Sequence, residues 1–379
     1  MKHRLKVLHI ITGLNDGGAE AVLYRLCVHD HQNSHTVISL MDDGKYGALL
    51  REIGVAVYCL NMPQGRVTIT GVWRCWLLLR SLNVNLIQTW MYHADLLGGV
   101  LARLAGKTAI AWGVHNSALE VGKAKNSTII ISKINAFLSR IIPKMIVYCA
   151  KKSREVHEFL GYVRSKGVVV PNGYNLDLFS PMYKEAAILK SELGINSQTV
   201  VLGTVARFDP DKDHLNLIQS LSVLKEKNMP FKCLLVGKDM TDSNVVLCQW
   251  LDKFQVKENC LLLGQRSDIP IIMSLLDLHI LPSSAEAFPN VLAEAMACET
   301  LCVTTDVGDA SYIVGNTGWV VPRKNHTKLA NAILEAIEVK KTPSIWMQRK
   351  LEARQRVINN FGIGKMINAY HQIWGNILK

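Results

Sequence analysis

Short apolar runs alternate with longer segments of helical periodicity along the whole chain, the pattern of parallel α/β sheets. In the first half the runs predict strands over Leu5–Ile11, His35–Leu40, Val55–Leu60, Asn85–Trp90, Thr108–Val114, Lys144–Cys149 and Gly167–Val170. Helical spacing is clearest over Ala19–His29, Thr70–Leu82, His93–Ala105 and Thr128–Ile142. The alternation breaks at Pro171-Asn172-Gly173 and again at Phe179-Ser180-Pro181. It restarts with strands predicted over Thr199–Ala206, Phe231–Val236, Cys260–Leu263, Asp277–Leu281, Leu301–Thr304 and Gly318–Val321. The tail from Ser344 reads as two helices parted at Phe361-Gly362. Two successive doubly wound units are expected, leaving a cleft faced by the carboxyl ends of their strands.

A chain of 379 residues is too long for one ordinary core, which agrees with two domains. Nine scattered cysteines, odd in number and without a C-x-x-C pair, read as reduced thiols of a cytoplasmic protein. They do not form a disulfide or zinc framework. The apolar run Val7 to Ile11 is interrupted by His9 and is too short for a signal peptide, and no run is long enough to span a bilayer. The net charge of +12 is uneven. Residues 1–180 carry 21 Lys and Arg against 11 Asp and Glu, whereas residues 181–379 carry 22 against 20. That asymmetry points to an anionic partner for the first half.

The most informative segment is Glu286-Ala-Phe-Pro-Asn-Val-Leu-Ala-Glu294, which follows a predicted buried strand and the polar loop Ser283-Ser284-Ala285. Pro289 suits the first position of a helix, where a missing N–H costs nothing. The amides from Asn290 onward then point out of a helix N-terminus, a ready site for phosphate. Glu294 lies one turn further on, where a carboxylate can accept hydrogen bonds from a ribose diol. Its neighbours Leu292, Ala293, Ala295, Met296 and Ala297 are small or apolar, so an ionised group among them needs a partner. Upstream, Arg207 is placed at the end of a strand and Lys212 at the start of the next helix. Arg can fork two oxygens of a diphosphate and Lys supplies a point charge, and both side chains are expected partly exposed. Asp209, Asp211 and Asp213 spell D-x-D twice, a pattern that can bind a metal-bridged diphosphate. With Pro210 splitting the run and cations beside it, Asp211 or Asp213 is read instead as a helix N-cap, and no metal site is assigned. In the first half, Gly17-Gly18-Ala19-Glu20 lies between strand and helix, where paired glycines let backbone approach a ligand. The spacing is not G-x-G-x-x-G, and a plain tight turn is the alternative. His115 closes the strand that ends Trp112-Gly113-Val114, on the expected cleft side.

Taken together these motifs resemble a family 4 glycosyltransferase of the retaining, GT-B type. Gly17-Gly18-Ala19-Glu20, Pro171-Asn172-Gly173, Ala206-Arg207-Phe208 with Lys212-Asp213, and the Glu286 and Glu294 pair occur in family order. The resemblance implies two Rossmann-like domains: residues 1–178 with a returning helix at about 362–379 for the acceptor, and 179–361 for the donor. It implies that Arg207 and Lys212 bind the donor diphosphate and Glu294 the ribose. Glu286 and the backbone from Phe288 through Asn290 to Val291 would hold donor sugar and phosphate, with His115 beside the reacting sugar. It also implies that no cofactor or divalent metal is needed.

The expected activity is transfer of a hexose or N-acetylhexosamine from a nucleotide-diphosphate sugar to a glycan, with retention, in cell-surface polysaccharide assembly. The acceptor is expected to be linked to a polyisoprenoid diphosphate, and nucleic acid is not an expected partner. Lys123 to Lys133, continuing through Phe137, Arg140, Ile141, Ile142 and Lys144, mixes cations with aliphatics at helical spacing, as does Trp73 to Arg80. Such segments can lie on an anionic bilayer, so the expected location is the inner face of the cell membrane. The alternatives are ordinary amphipathic helices for these segments and, for the protein, a nucleotide-sugar epimerase or an inactive nucleotide-sugar-binding partner. A glycan phosphorylase fits less well, since no lysine has a convincing setting for pyridoxal phosphate.

Overall fold

The computed structural model describes residues 4–116 and 126–379, which form two units. Met1–Gly173 with Ile363–Lys379 make the first and Tyr174–Gly362 the second. The sequence places the first boundary at 178, five residues later. The difference has a physical cause in Tyr174, whose amide donates to the Phe361 carbonyl at 2.9 Å and whose hydroxyl donates to Asn290 Oδ1 at 2.5 Å. Those bonds commit Tyr174 to the second unit.

The first unit holds seven parallel strands: β1 (Lys6–Ile11), β2 (Ser34–Ser39), β3 (Ala56–Cys59), β4 (Leu86–Trp90), β5 (Ile110–Val114), β6 (Met145–Tyr148) and β7 (Gly167–Val169). Their order in the sheet is β3-β2-β1-β4-β5-β6-β7. Helices α1 (Gly18–His29), α2 (Tyr46–Glu52), α3 (Ile69–Ser81), α4 (Gly99–Leu104), α5 (Asn126–Leu138) and α6 (Lys151–Phe159) connect them. Alternate strand residues feed two cores. Val7, Val37, Trp90 and Val147 pack with α1 on one face, while Leu8, Ile38, Ile87 and Ile146 pack with residues of α3, α4 and α5 on the other.

The second unit runs α7 (Tyr183–Glu192), β8 (Val200–Val205), α8 (His214–Glu226), β9 (Phe231–Val236), α9 (Val245–Lys253), β10 (Cys260–Gly264), α10 (Ile269–Leu275), β11 (Leu278–Leu281), α11 (Asn290–Ala297), β12 (Leu301–Thr305), α12 (Ala310–Val314), β13 (Trp319–Val321), α13 (His326–Lys340) and α14 (Pro343–Phe361). Its six strands are parallel in the order β10-β9-β8-β11-β12-β13. In each sheet the order reverses direction beside the first strand, at β1/β4 and at β8/β11. Ligands of open α/β sheets collect at the carboxyl ends of the strands flanking such a switch point. After Gly362 the chain returns to the first unit as α15 (Ile363–Leu378), which buries Met366, Tyr370, Ile373, Trp374 and Ile377 in the α1-side core.

Two helices depart from the sequence reading. The predicted helix His93–Ala105 starts as a π-helical turn, Ala94–Gly98, before α4. Met91 ahead of it has φ +71, an uncommon backbone state for a side chain of its size. The turn carries the fully buried Asp95, which accepts from Thr89 Oγ1 at 2.5 Å, and burial pushes its carboxyl well above the usual range. The second departure is α5, which stops at Leu138 rather than Ile142. There Lys166 Nζ donates to the carbonyls of Ser139, Arg140 and Pro143 at 2.9, 2.8 and 2.8 Å, taking up acceptors the helix end would leave open.

The helix α5 packs Ala136, Ile131 and Leu138 on the core and also carries polar residues inward and apolar ones outward. Ser132 and Asn135 on its inner side are buried, whereas Ile130, Ile134 and Phe137 on its outer side are 57, 43 and 61% exposed. On α3 the outward residues Ile69, Trp73 and Leu77 recur at four-residue spacing, flanked by exposed Arg74 and Arg80. Neither helix contains an acidic residue. Lys123 and Lys125 of the sequence reading lie outside the described residues. Among those described, no helix is long and apolar enough to cross a membrane.

Burial holds several histidines neutral: His157 and His214 are lowered to about 4 and His279 to about 3, in each case chiefly by loss of water. The unfolded chain takes up protons at these sites below about pH 6.5, while the folded chain does so only near the lowered values. Stability is therefore full above about pH 6.5 and falls as pH drops toward 4, by about 1.4 kcal/mol per pH unit for each such histidine. Urea titrations across that range should show the midpoint falling with acid. A flat profile from neutrality down to pH 5 would contradict the assignment of neutral buried rings.

Candidate active site

At the switch point of the second unit, β8 ends at Val205 and delivers Ala206 and Arg207, while β11 ends at Leu281 and delivers the loop from Pro282 to Glu286. After Arg207 the chain makes a short 3-10 turn, Pro210–Lys212, and Asp213 with φ +47 joins it to α8. Lys212 thus ends that turn rather than starting the helix. Asp209 Oδ1 accepts from the Asp211 amide at 3.0 Å and Asp213 Oδ1 from the Asn216 amide at 3.4 Å. Two of the three aspartates are therefore spent on capping backbone, as short acidic side chains before helices commonly are.

This geometry points Lys212 at Glu286. The two meet at 2.6 Å, with side chains 20 and 12% exposed, and Ser283 Oγ donates to the same carboxylate oxygen at 2.8 Å. Backbone fixes the two loops to each other: the Ser284 amide donates to the Asp211 carbonyl at 2.8 Å. From below, Thr305 Oγ1 at the end of β12 donates to the Ser283 carbonyl at 2.6 Å. Gly308, with φ +51, lets a third segment approach. A Cβ there would sit 2.3 Å from the Ala287 carbonyl oxygen, and the neighbouring Asp309 amide donates to that oxygen at 3.0 Å. Lys212 is more enclosed than the sequence suggests. Arg207 matches the expectation, 55% exposed, with its guanidinium on Asp209 at 3.0 Å rather than beside Lys212.

The helix α11 begins at Asn290, and Pro289 is its N-cap residue rather than its first helical residue: with ψ 96 it is still extended, and its carbonyl accepts from the Leu292 amide. For Phe288 the expected contact is through its backbone, and its side chain turns inward. The ring is 6% exposed and packs edge-on against Phe361 at 5.7 Å, so only its backbone faces the loop. Asn290 takes the Tyr174 hydroxyl, Val291 is half-buried, and Glu294 lies half-buried on α11 one turn past Asn290. The result is a carboxylate-held ammonium, an exposed guanidinium and a helix N-terminus on neighbouring strand ends, suited to polyanionic oxygen.

In the first unit the predicted residues occupy the ends of other strands. Gly17 is the N-cap of α1 and Gly18 its first residue, and neither uses a left-handed φ. A Cβ on Gly17 would fall 2.4 Å from a Glu20 carboxylate oxygen, so smallness there serves the helix's own first turn. Burial raises the Glu20 carboxyl to about 6. His115 follows β5. Its Nε2 is sealed from solvent with no hydrogen-bond partner among the described residues, and desolvation lowers the ring to about 4. Sequence reasoning missed Trp90, whose indole stacks on His115 at 4.9 Å and 23°. It also missed Ser283, Thr305 and Gly308, whose only sequence signal is their place at strand ends.

A family model described as Glycosyltransferase Family 4 matches residues 16–178, and one described as Glycosyl transferases group 1 matches residues 186–353. The chain is 23% identical over 300 residues to an Escherichia coli UDP-Gal:alpha-D-GlcNAc-diphosphoundecaprenol alpha-1,3-galactosyltransferase, covering 78% of this chain and 76% of that one. It is 24% identical over 380 residues to a Campylobacter jejuni N,N'-diacetylbacillosaminyl-diphospho-undecaprenol alpha-1,3-N-acetylgalactosaminyltransferase, covering 92 and 98%. The crystal structure of Anabaena HepE in complex with UDP superposes with a TM-score of 0.84 at 22% identity, over 98% of this chain and all of that one. One model describes most of the first unit and the other most of the second, and the chain belongs to the family 4 glycosyltransferases, with their GT-B fold of two Rossmann-like domains.

Proposed function

We propose that this glycosyltransferase moves a galactose-type hexose or N-acetylhexosamine from a nucleoside diphosphate to a glycan carried on a polyisoprenoid diphosphate, with retention and without a metal. The observation that carries the donor half is the Lys212–Glu286 pair at 2.6 Å beside the start of α11. The acceptor half is supported by the undecaprenol-linked acceptors in the names of both relatives. In this reading the acceptor hydroxyl oxygen bonds to the anomeric carbon as the bond from that carbon to the diphosphate oxygen breaks. The hydroxyl proton leaves with the nucleoside diphosphate. Negative charge grows on that leaving group, where Lys212, Arg207 and the helix amides stabilise it. Glu294 takes the ribose diol, and Glu286 the donor sugar. His115 is neutral near pH 7, so it acts by hydrogen bonding to the sugar rather than by charge. The first unit is the acceptor domain and the second the donor domain.

Arg207→Ala should leave stability within about 0.5 kcal/mol, because its side chain is exposed. Lys212→Ala should cost about 1–3 kcal/mol, since it takes the cation away from the half-buried Glu286 carboxylate. Adding Glu286→Gln to Lys212→Ala should restore melting but not turnover. Restored turnover in that double variant would make the pair structural. A thermal-shift panel of nucleotide sugars should show stabilisation by at least one uridine-linked hexose or N-acetylhexosamine. Turnover of that donor with no acceptor present would favour the epimerase, NMR of an inverted product would overturn retention, and loss of activity in chelator would overturn metal independence.

The outward stripes of α3 and α5 support docking on an anionic bilayer, where apolar residues enter the interface and cations meet lipid phosphate. Each cation near the surface is worth about 1 kcal/mol. Replacing Arg74, Lys133 and Arg140 with Gln should therefore lower partitioning onto phosphatidylserine vesicles more than about tenfold at low salt, with the parent's own binding falling steeply as salt rises. Equal partitioning of parent and variant would remove the membrane from this reading and favour a soluble acceptor.

A further inference from the structure

One polar cluster in the first unit has no part in the proposed chemistry so far. His9 lies in mid-strand on β1, wholly buried, between the rings of Trp90 and Trp374 at 5.8 and 6.2 Å. Trp90 Nε1 donates to His9 Nδ1 at 3.1 Å, His9 Nε2 lies 2.9 Å from His35 Nδ1, and His35 Nε2 lies 3.3 Å from Asp30 Oδ2. An indole nitrogen can only donate, which fixes every proton along this row. His9 Nδ1 must be bare, so its proton is on Nε2 and goes to His35 Nδ1, and the His35 proton is on Nε2 facing Asp30. The Asp30 carboxylate also accepts from Asn33 Nδ2 at 2.9 Å and faces His371 Nε2 of α15 at 2.9 Å.

The same proton positions leave no room for a metal at this cluster. His9, Cys27 and His35 bring ligand atoms within 4.8 Å of one another. A histidine bound to metal through Nε2 ordinarily donates from its other nitrogen, but here that nitrogen is occupied by the indole donor. The row is a hydrogen-bond chain, and it ends on Trp90.

Trp90 is the last residue of β4, at the switch point of the sheet, and is fully buried. One edge of its indole is pinned by His9, and its face carries the His115 ring at 4.9 Å with 23° between planes. We propose that Trp90 is a positioning residue for the transfer reaction: pinned through His9, His35 and Asp30, its indole face holds the His115 imidazole in the plane from which it meets the reacting sugar. This rests on the reading of His115 as the sugar-side histidine.

The test is a double-mutant cycle on the intact enzyme, with UDP-galactose as donor and undecaprenyl-diphosphate-linked GlcNAc as acceptor. Trp90→Leu removes the platform and should lower kcat about 100-fold, the scale of a misplaced group, with the donor KM within about threefold. Trp90→Phe keeps a ring face and should recover most of that loss. His115→Ala should fall as far as Trp90→Leu, and the double variant should fall no further, because one effect acts through the other. Multiplying losses, or a Trp90→Leu enzyme with unchanged kcat, would overturn the positioning role while leaving the reading of His115 intact. An unchanged kcat in His115→Ala would instead overturn that reading and this inference with it. Should Trp90→Leu fail to fold, Trp90→Met, which keeps bulk without a ring face, is cycled against His115→Ala instead, and multiplying losses there would equally sink the proposal.

Discussion

An ammonium group four-fifths removed from water must keep a carboxylate within reach, and the strand ends of the second unit around Lys212 are arranged around that need. Lys212 can meet Glu286 only if the turn after β8 and the loop after β11 stay in register. Backbone supplies that register, through the Ser284 amide on the Asp211 carbonyl, and Thr305 sets the height of the loop from the next strand. Gly308 clears the space beneath. None of these groups has chemistry to perform; they keep an ion pair from becoming two stranded charges, a far more costly state than the pair itself is a gain.

The fold was legible because a doubly wound sheet buries its strands on both faces. Such strands read as unbroken apolar runs, and all thirteen among the described residues stand where such runs predict them, within a few residues at each end. The places of Arg207, Glu286 and Glu294 after strand ends and on the following helix were legible too, because strand ends punctuated by Pro, Asp and Ser announce themselves. What stayed hidden depends on polar groups in the interior. His9 interrupts an apolar run without showing that Trp90 and His35 will satisfy it. Asp95 looks like a surface residue of a helix until the π-helical turn carries it inward. The α5 helix buries Ser132 and Asn135 beside its core residue Ala136 while Ile130 and Phe137 face out. Periodicity gives the spacing of a stripe but not the polar residues it can bury, and the partner of Asn135, the Tyr92 carbonyl, lies 43 residues away in the chain.

The two units manage buried polarity differently. In the second, Ser283, Ser284, Thr304 and Thr305 gather their polar groups at strand ends, while His279 in mid-strand takes a single backbone amide. In the first, a row of hydrogen bonds runs through the core itself from His35 through His9 to Trp90, joining β2, β1 and β4, with Asp30 facing His35 at 3.3 Å and His371 of α15 at 2.9 Å. From Trp90 to His35 only one arrangement of protons satisfies every member of the row. That makes it rigid, and it makes the core around it intolerant of piecemeal substitution.

The return of α15 has a consequence for synthesis on the ribosome. The second unit, Tyr174–Gly362, is one continuous stretch and has all its strands once residue 362 is clear of the exit tunnel. The first unit, although translated earlier, waits for Tyr370, Trp374 and Ile377 to fill its core and for His371 to reach Asp30. Domains generally fold in the order in which they emerge, and here that order is inverted: the early domain spends the whole synthesis of the later one with an open apolar face. Until α15 arrives, that face is where a nascent chain of this protein is most exposed to aggregation and to chaperone capture.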